Sequence, residues 1–357
     1  MITVLVGTRP ELIKMAPVLK ELRKRKIPHS FIHSGQHYSE KMDRKIMADL
    51  NMPTPDFNLH VGSGTHAVQT GRVMERVEKI CLKTKPELML VHGDTNTTLA
   101  GALAAKKLHI PVGHVEAGLR SFDYMMPEEI NRILTDRISD VLFAPTKISR
   151  ENLLKEGIDD KIIIVTGNTV VDALIENVVL VKRSKILKRL SLKKNSYVLL
   201  TAHREENVDD QKRFRKMMGL LKSLNRILGV EIIWPIHPRA EKILGANDLG
   251  LAEGVRIVEP VGYLDMLALI KAAKLVLTDS GGIQEEAYVL KKPLVTLRSS
   301  TERPETLTAN FIVDLDVAKL KRALRAYEKK EAFWTDDLGD GNASIVIVEA
   351  LEKLFKN

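Results

Sequence analysis

The chain has 357 residues and a formal net charge of +9, with 44% hydrophobic and 28% charged residues. That is an ordinary globular balance, and the length suggests about two domains. No apolar run approaches the roughly 18 residues of a membrane span, and the single cysteine, Cys81, excludes a disulfide framework or a cysteine-based zinc site within one chain. The first residues, MITVLVGTRPELIK, carry neither a basic leader nor a small-residue cleavage site, so no signal peptide is expected and a reducing cytoplasm fits.

Met1–Gly7 reads as an apolar strand. Pro10–Lys24 reads as a helix, because Leu12, Met15, Leu19 and Leu22 recur at helical spacing and Pro10 suits a first turn. His29–Gln36 is a second strand. Leu88–Gly93, Thr95–Leu108 and Ile110–Gly118 make a strand–helix–strand unit, whose two strands are expected to run parallel. Pro127–Ser139 is a helix, and Val141–Ala144 and Ile162–Val165 are short strands. The second half repeats the logic. Tyr197–Ala202, Glu231–Ile236, Arg256–Val258, Leu275–Thr278 and Leu294–Leu297 read as strands, with helices at Leu264–Ala273 and Gly282–Leu290 among them.

The expected fold is therefore α/β: two doubly wound, Rossmann-like domains facing a cleft. Their expected extents are 1–170 and 171–342, with a last helix near 343–357 returning to the first. Ligands of such sheets bind beyond the strand carboxyl ends, so the polar residues just after each apolar strand matter most.

After the first strand come Gly7-Thr8-Arg9-Pro10-Glu11, with Lys14 one turn into the helix. This is not the G-x-G-x-x-G turn of a dinucleotide site, but a helix N-terminus and Arg9 can hold an anion. A surface pairing of Arg9 with Glu11 is the competing reading. Asp94 and Glu116 follow two consecutive strands. If those strands are neighbours, the two carboxylates leave the same sheet edge about 5 Å apart, an arrangement suited to acid–base work. Asp94 has an alternative role as cap of the following helix. Glu116 ends an apolar, glycine-rich strand, where a charge is costly without a reason. Glu128 opens the next helix beside Pro127.

In the second half, His203 and His237 each follow a strand, and either can give a proton to, or polarise, a phosphate. The strand Leu275–Thr278 runs into Asp279-Ser280-Gly281-Gly282 and straight into a helix. Gly281 and Gly282 let the backbone approach a ligand, and the Ser280 hydroxyl and following amides suit an anion. Glu286, one turn on, can take two ribose hydroxyls, so this turn fits a nucleoside diphosphate. Histidines 29, 33 and 37 share helical spacing but lie in strand and turn, and no metal site is expected. Seven of the fourteen residues 182–195 are basic. No aromatic residue is interleaved, as single-strand nucleic-acid platforms require. A solvated face is expected there, with no nucleic-acid or membrane partner.

With these residues in view, the sequence resembles the non-hydrolysing UDP-N-acetylglucosamine 2-epimerases. Nine segments carry the likeness in order: GTRPELIKMAP (7–17), SGQHYS (34–39), HGDTNTTLAGALAA (92–105), HVEAGLRS (114–121), PEEINR (127–132), HREEN (203–207), HP (237–238), TDSGGIQEEA (278–287) and TERPE (301–305). The resemblance implies a fold like that of GT-B glycosyltransferases. It implies interconversion of UDP-GlcNAc and UDP-ManNAc at C2, through loss and re-addition of UDP, with no cofactor. It places Arg9 and Lys14 on the nucleotide-sugar, Asp94, Glu116 and Glu128 around C2, and His203 at the departing diphosphate. Ser280, Gly281, Gly282, Glu286 and Arg303 would hold UDP. Gln36-His37-Tyr38 partly matches a tripeptide that in many relatives is associated with a second, activating UDP-GlcNAc, so that regulation stays open, and a homodimer is the expected assembly.

Two departures stand out. Pro260–Tyr263 and Met266 replace a glutamine and a phenylalanine that many bacterial members carry in a uridine-recognising loop. The segment Phe122–Pro127 is reminiscent of relatives acting on UDP-2,3-diacetamido uronic acid sugars. That sugar class, a hydrolysing epimerase and a GT-B glycosyltransferase are the alternative readings. Three acids at C2 disfavour the transferase.

Overall fold

The computed structural model describes residues 1–36, 46–236, 240–241, 244 and 250–356. His37 and the His237-Pro238 pair lie outside the described residues. Two compact units are present: Met1–Glu176 together with Asp336–Asn357, and Asn177–Thr335.

The first unit is built on strands β1 (Ile2–Val6), β2 (His29–His33), β3 (Phe57–Asn58), β4 (Leu88–His92), β5 (Val112–Val115), β6 (Val141–Ala144) and β7 (Ile163–Val165). All pair in parallel, in the order β3-β2-β1-β4-β5-β6-β7. A parallel sheet is covered on both faces, which is why β1, β4, β5 and β6 are buried along their whole length and read as mostly apolar runs. One face packs on the helix Arg9–Lys24 through Leu12, Met15 and Leu19. The other packs on the helices His66–Thr84 and Asn96–Lys107 through Val73, Val77, Cys81, Ala100 and Ala104.

The helix Ala343–Lys356 belongs to this unit. Its Ile347, Val348 and Leu351 complete the same cluster as Leu12 and Leu19. Arg25, just past the first helix, donates to Glu349 and Glu352. The Asp172 carboxylate accepts from the Ala343 and Ser344 amides, satisfying donors that a helix start leaves open.

The second unit holds β8 (Tyr197–Thr201), β9 (Glu231–Pro235), β10 (Val255–Val258), β11 (Leu275–Thr278), β12 (Leu294–Thr296) and β13 (Asn310–Ile312), again all parallel, in the order β10-β9-β8-β11-β12-β13. Both sheets thus grow outward from their first strand, then cross over and grow the other way. The switch points lie between β1 and β4 and between β8 and β11, and ligands of such sheets bind at the carboxyl ends there.

The helix His66–Thr84 and the short strands β3 and β13 are absent from the elements the sequence pattern predicts. The basic stretch 182–195 forms a single turn at Leu180–Arg183 and a short helix, Ile186–Arg189, with its lysines exposed. Among the described residues, no helix is long and apolar enough to cross a membrane, and no group of three or more His, Cys, Asp and Glu is placed to hold a metal ion.

Candidate active site

In the first unit, β1 ends at Val6 and the chain turns through Gly7 and Thr8 into the helix Arg9–Lys24. A side chain at Gly7 would overlap Ser34 and Thr97, so the turn admits only glycine. Glu11 does not reach outward to Arg9. It turns under the loop and is buried, accepting from the Gly7 and Thr8 amides and from the Thr95 and Thr98 hydroxyls, the last three at 2.7, 2.6 and 3.2 Å. Burial pushes its carboxyl up, and the Thr95 hydroxyl, His92 and the two amides offset only part of that rise. Arg9 stands half-buried at the helix start.

One turn on, Lys14 donates to Glu116 Oε2, and both side chains are almost wholly buried. His92 Nε2 lies 3.4 Å from the same carboxylate oxygen. Glu116 follows β5 directly with φ +71, in the left-handed region that a side chain enters only at a cost. Its amide and that of Ala117 both donate to the Phe143 carbonyl, which fixes the kink.

β4 and β5 are immediate neighbours, with His92 opposite Val115, so Asp94 and Glu116 do leave adjacent strand ends. Each is held by its own cation: Arg132 Nη2 donates to Asp94 Oδ2, as Lys14 does to Glu116. Asp94 is not the cap of the following helix; the Thr95 hydroxyl accepts from the Thr98 amide and takes that part. The Asp94 side chain, 29% exposed, is left to face solvent.

Glu128 is half-buried in the first turn of the helix Pro127–Ile138. Its neighbour Glu129 points the other way. Fully buried, Glu129 accepts from the Ser121 and Phe122 amides at 3.0 and 2.9 Å and from Arg132 at 3.0 Å. Gln36 lies on the β2 side, where its amide oxygen accepts from the Thr97 hydroxyl at 2.8 Å.

In the second unit, the ends of β8 and β11 meet through Asp279. This fully buried carboxylate accepts from the His203 and Arg204 amides at 3.0 and 3.1 Å and from the Asn207 side chain at 3.1 Å. His203 Nδ1 is 3.2 Å away. Burial alone would raise the Asp279 carboxyl, but His203, the Arg204 amide and Asn207 bring it below its ordinary value. The His203 side chain is 41% exposed.

Ser280 is the N-cap of the helix Gly281–Val289, whose first amides have no partner within the helix. The two glycines differ. A Cβ at Gly281 would lie 2.5 Å from Arg303 Nη1, so the guanidinium packs directly over that backbone. A Cβ at Gly282 would meet nothing within 4 Å, leaving the helix mouth open at that point. Arg303 is buried between Glu285, 2.8 Å from Nε, and Glu302. Glu302 also binds Arg298 at 2.7 Å. Burial, and after it the charge of the buried Glu286, pushes the Tyr263 hydroxyl well above the usual phenol range.

Sequence reasoning thus finds the strand-end residues but not those that hold them. Glu11, His92, Arg132, Asp279, Glu285 and Glu302 are buried ionisable groups within or beside the nine segments, and that position is the signal that could have marked them.

A family model described as UDP-N-acetylglucosamine 2-epimerase matches residues 20–352. The UDP-N-acetylglucosamine 2-epimerase of Methanococcus maripaludis is 49% identical over 97% of this chain and 97% of its own length. The UDP-2,3-diacetamido-2,3-dideoxy-D-glucuronate 2-epimerase of Pseudomonas aeruginosa is 40% identical over 99% of both. Among solved structures, the Methanocaldococcus jannaschii UDP-GlcNAc 2-epimerase in complex with UDP-GlcNAc and UDP superposes with a TM-score of 0.92, at 46% identity over 99% of both chains. The glycosyltransferase SnogD of Streptomyces nogalater, 14% identical with a TM-score of 0.54 over 99% of both chains, shares the fold alone.

Proposed function

The chain belongs to the UDP-N-acetylglucosamine 2-epimerase family, and from that premise we propose that it interconverts UDP-GlcNAc and UDP-ManNAc without hydrolysis. One observation carries the reading: two carboxylates, Glu116 and Asp94, at adjacent strand ends, each fixed by its own cation.

The chemistry explains why such a pair is needed. The hydrogen at C2 lies between an acetal carbon and a carbon bearing a hydroxyl, with an amide nitrogen on C2 itself, and no carbonyl adjoins it to stabilise a carbanion. Departure of UDP with the C1–O bonding pair leaves C1 electron-poor. A carboxylate then takes the C2 proton, and the C2–H pair becomes the double bond of 2-acetamidoglucal. Re-addition of the diphosphate oxygen at C1, with a proton delivered to the opposite face of C2, gives the epimer. Acid and base must flank C2, a task for Glu116, Asp94 and Glu128. Positions held by ion pairs with buried cations lose little geometry between turnovers.

The leaving diphosphate gathers negative charge. Each unit offers a matching positive field of its own: Arg9 at a helix start in the first, and Ser280 with the Gly281 and Gly282 amides at a helix start in the second. Asp279 orients His203 through Nδ1, and the imidazole serves a phosphate oxygen of the leaving group. Glu286 suits the ribose hydroxyls, and Arg303 braces the Gly281 turn. The Pseudomonas relative favours a second substrate to assay, the UDP-2,3-diacetamido uronic acid sugar.

The test is NMR of the purified protein with UDP-GlcNAc in D2O, with no added cofactor. UDP-ManNAc carrying deuterium at C2 is expected, with traces of UDP and 2-acetamidoglucal on long incubation. Free ManNAc formed in step with UDP would make the enzyme hydrolysing. Full retention of protium at C2 would rule out elimination.

A further inference from the structure

Beneath the two acidic strand ends of the first unit runs a chain of ion pairs, buried from His114 through Asp136 to Arg120 and reaching the surface at Glu156, that the chemistry above does not use. His114, fully buried on β5, places Nε2 2.8 Å from the Gly93 carbonyl oxygen and Nδ1 2.7 Å from Asp136 Oδ1. Asp136 Oδ2 accepts from the Gly118 amide at 3.1 Å and from Arg120 Nη2 at 2.8 Å. Arg120 in turn grips both Glu156 oxygens at 2.7 Å.

A carbonyl oxygen only accepts, and so does an ionised carboxylate. Asp136 is ionised: its Oδ2 takes the Arg120 guanidinium and the Gly118 amide, the donors of a charged carboxylate. Both ring nitrogens of His114 must therefore donate, which only the imidazolium can do. A neutral ring would set a bare nitrogen lone pair against one of its two acceptors. The charged groups facing His114 come from three elements: Asp136 on the helix Pro127–Ile138, Arg120 on the loop after β5, and through it Glu156 at the end of the helix Lys147–Lys155. Signs alternate along this chain and cancel, the condition under which buried ions are tolerated.

We propose that His114 is a positioning residue, a resident imidazolium that clamps the strand ends bearing Asp94 and Glu116. One ring nitrogen holds the carbonyl of Gly93, the residue just before Asp94. The other holds Asp136, which holds the amide of Gly118, two residues past Glu116. Gly93, Glu116 and Gly118 have φ of +72, +71 and +81; backbone bonds to Val115 and Phe143 hold the Gly93 and Glu116 amides, and the His114–Asp136 pair adds a side-chain tie to the Gly93 carbonyl and the Gly118 amide. Gly118 is pinned from behind as well: a side chain there would collide with the Ser149 carbonyl, and Asn152 donates to the Gly118 oxygen at 3.0 Å. The link to turnover rests on the epimerase reading; the protonation state does not.

The experiment joins two readouts. The first is a long-range proton–nitrogen NMR spectrum of protein labelled with 15N in histidine, at about pH 7.5, where an ordinary histidine is neutral. His114 is assigned by its loss in His114→Gln. Two protonated ring nitrogens are expected, and a single one overturns the proposal. In Asp136→Asn, His114 should revert to a neutral ring; an unchanged spectrum also overturns it. The second readout is kinetic. His114→Gln and Asp136→Asn should each lower kcat at least about tenfold while KM changes less than about threefold, with slow hydrogen exchange retained at β1 and β4 amides as proof that the first unit is folded. Wild-type kcat in both folded variants overturns the clamp. If His114→Gln does not fold, Asp136→Asn supplies both the resonance assignment and the kinetic comparison, and wild-type kcat in it alone overturns the clamp. A wild-type protein with no epimerase activity would sink the functional reading, and the NMR arm would still decide the charge on His114.

Discussion

Lys14 and Glu116 form an ion pair that water barely reaches. Removing one partner strands the other charge, which typically costs about 3–5 kcal/mol. Glu116→Gln is therefore expected to lose both turnover, by about 10²–10⁴-fold, and several degrees of Tm. Adding Lys14→Met should restore much of the Tm and none of the activity, as calorimetry and a coupled assay on the same samples will read. Asp94→Asn makes the contrast. Its side chain is partly exposed, so it should lose comparable activity with little change in Tm. Equal Tm losses in the two single variants would argue against the burial difference.

Asp279 gives a pH signature at the same scale. Its folded-state pKa lies below the ordinary 3.8, with burial opposing and His203 leading the groups that lower it. A depressed carboxyl contributes stability above its unfolded value and loses it as pH falls through the folded one. The Tm difference between wild type and Asp279→Asn should be full at neutral pH and shrink as pH drops below 3.8. A difference constant across a pH series of melts would exclude this linkage.

At the scale of elements, the helix Gly281–Val289 separates packing from binding within two residues. Gly281→Ala should displace Arg303 and lower both Tm and UDP affinity. Gly282→Ala meets no protein atom, so it should leave Tm unchanged and raise the Kd for UDP, measured by titration calorimetry. Unaltered UDP binding in Gly282→Ala would move the diphosphate away from this helix mouth.

The same elements show what the sequence discloses. Strands of a two-sided parallel sheet are apolar throughout, so β4, β6 and β11 can be read nearly to the residue, and the polar group after each follows directly. The order of strands across the sheet cannot be read this way. Nothing in residues 88–92 says that β4 lies beside β1, yet that adjacency brings Lys14 to Glu116 and Thr95 to Glu11. Turns that break the pattern are also hidden. Ile110–Gly118 reads as one strand, but the ladder stops at Val115 because Glu116 takes a left-handed conformation. The helix His66–Thr84 buries only a narrow stripe, Gln69, Val73, Val77 and Cys81, a four-residue spacing that is visible in hindsight but thin.

Across the whole molecule, the helix Ala343–Lys356 supplies part of the core on which β1 rests. Leu351→Ala should cost about 2–5 kcal/mol. The loss should appear as faster hydrogen exchange in the helix Arg9–Lys24, while amides of β8 and β11 keep their protection. Uniform acceleration in both units would show that they unfold together.

That same helix sets a timetable for synthesis. The strands of the first unit leave the ribosome early, but the residues that seal their outer layer, 336–357, emerge only after all of 177–335. At roughly 5–20 residues per second, the first sheet waits on the order of ten seconds or more with the surface of Leu12, Met15 and Leu19 uncovered. The second unit is continuous and can fold in that interval. Nascent chains arrested after Thr335 should therefore resist protease across 177–335 and be cut within 1–176. The half of the protein made first is the half completed last, and its exposed apolar surface is where a nascent-chain chaperone would bind.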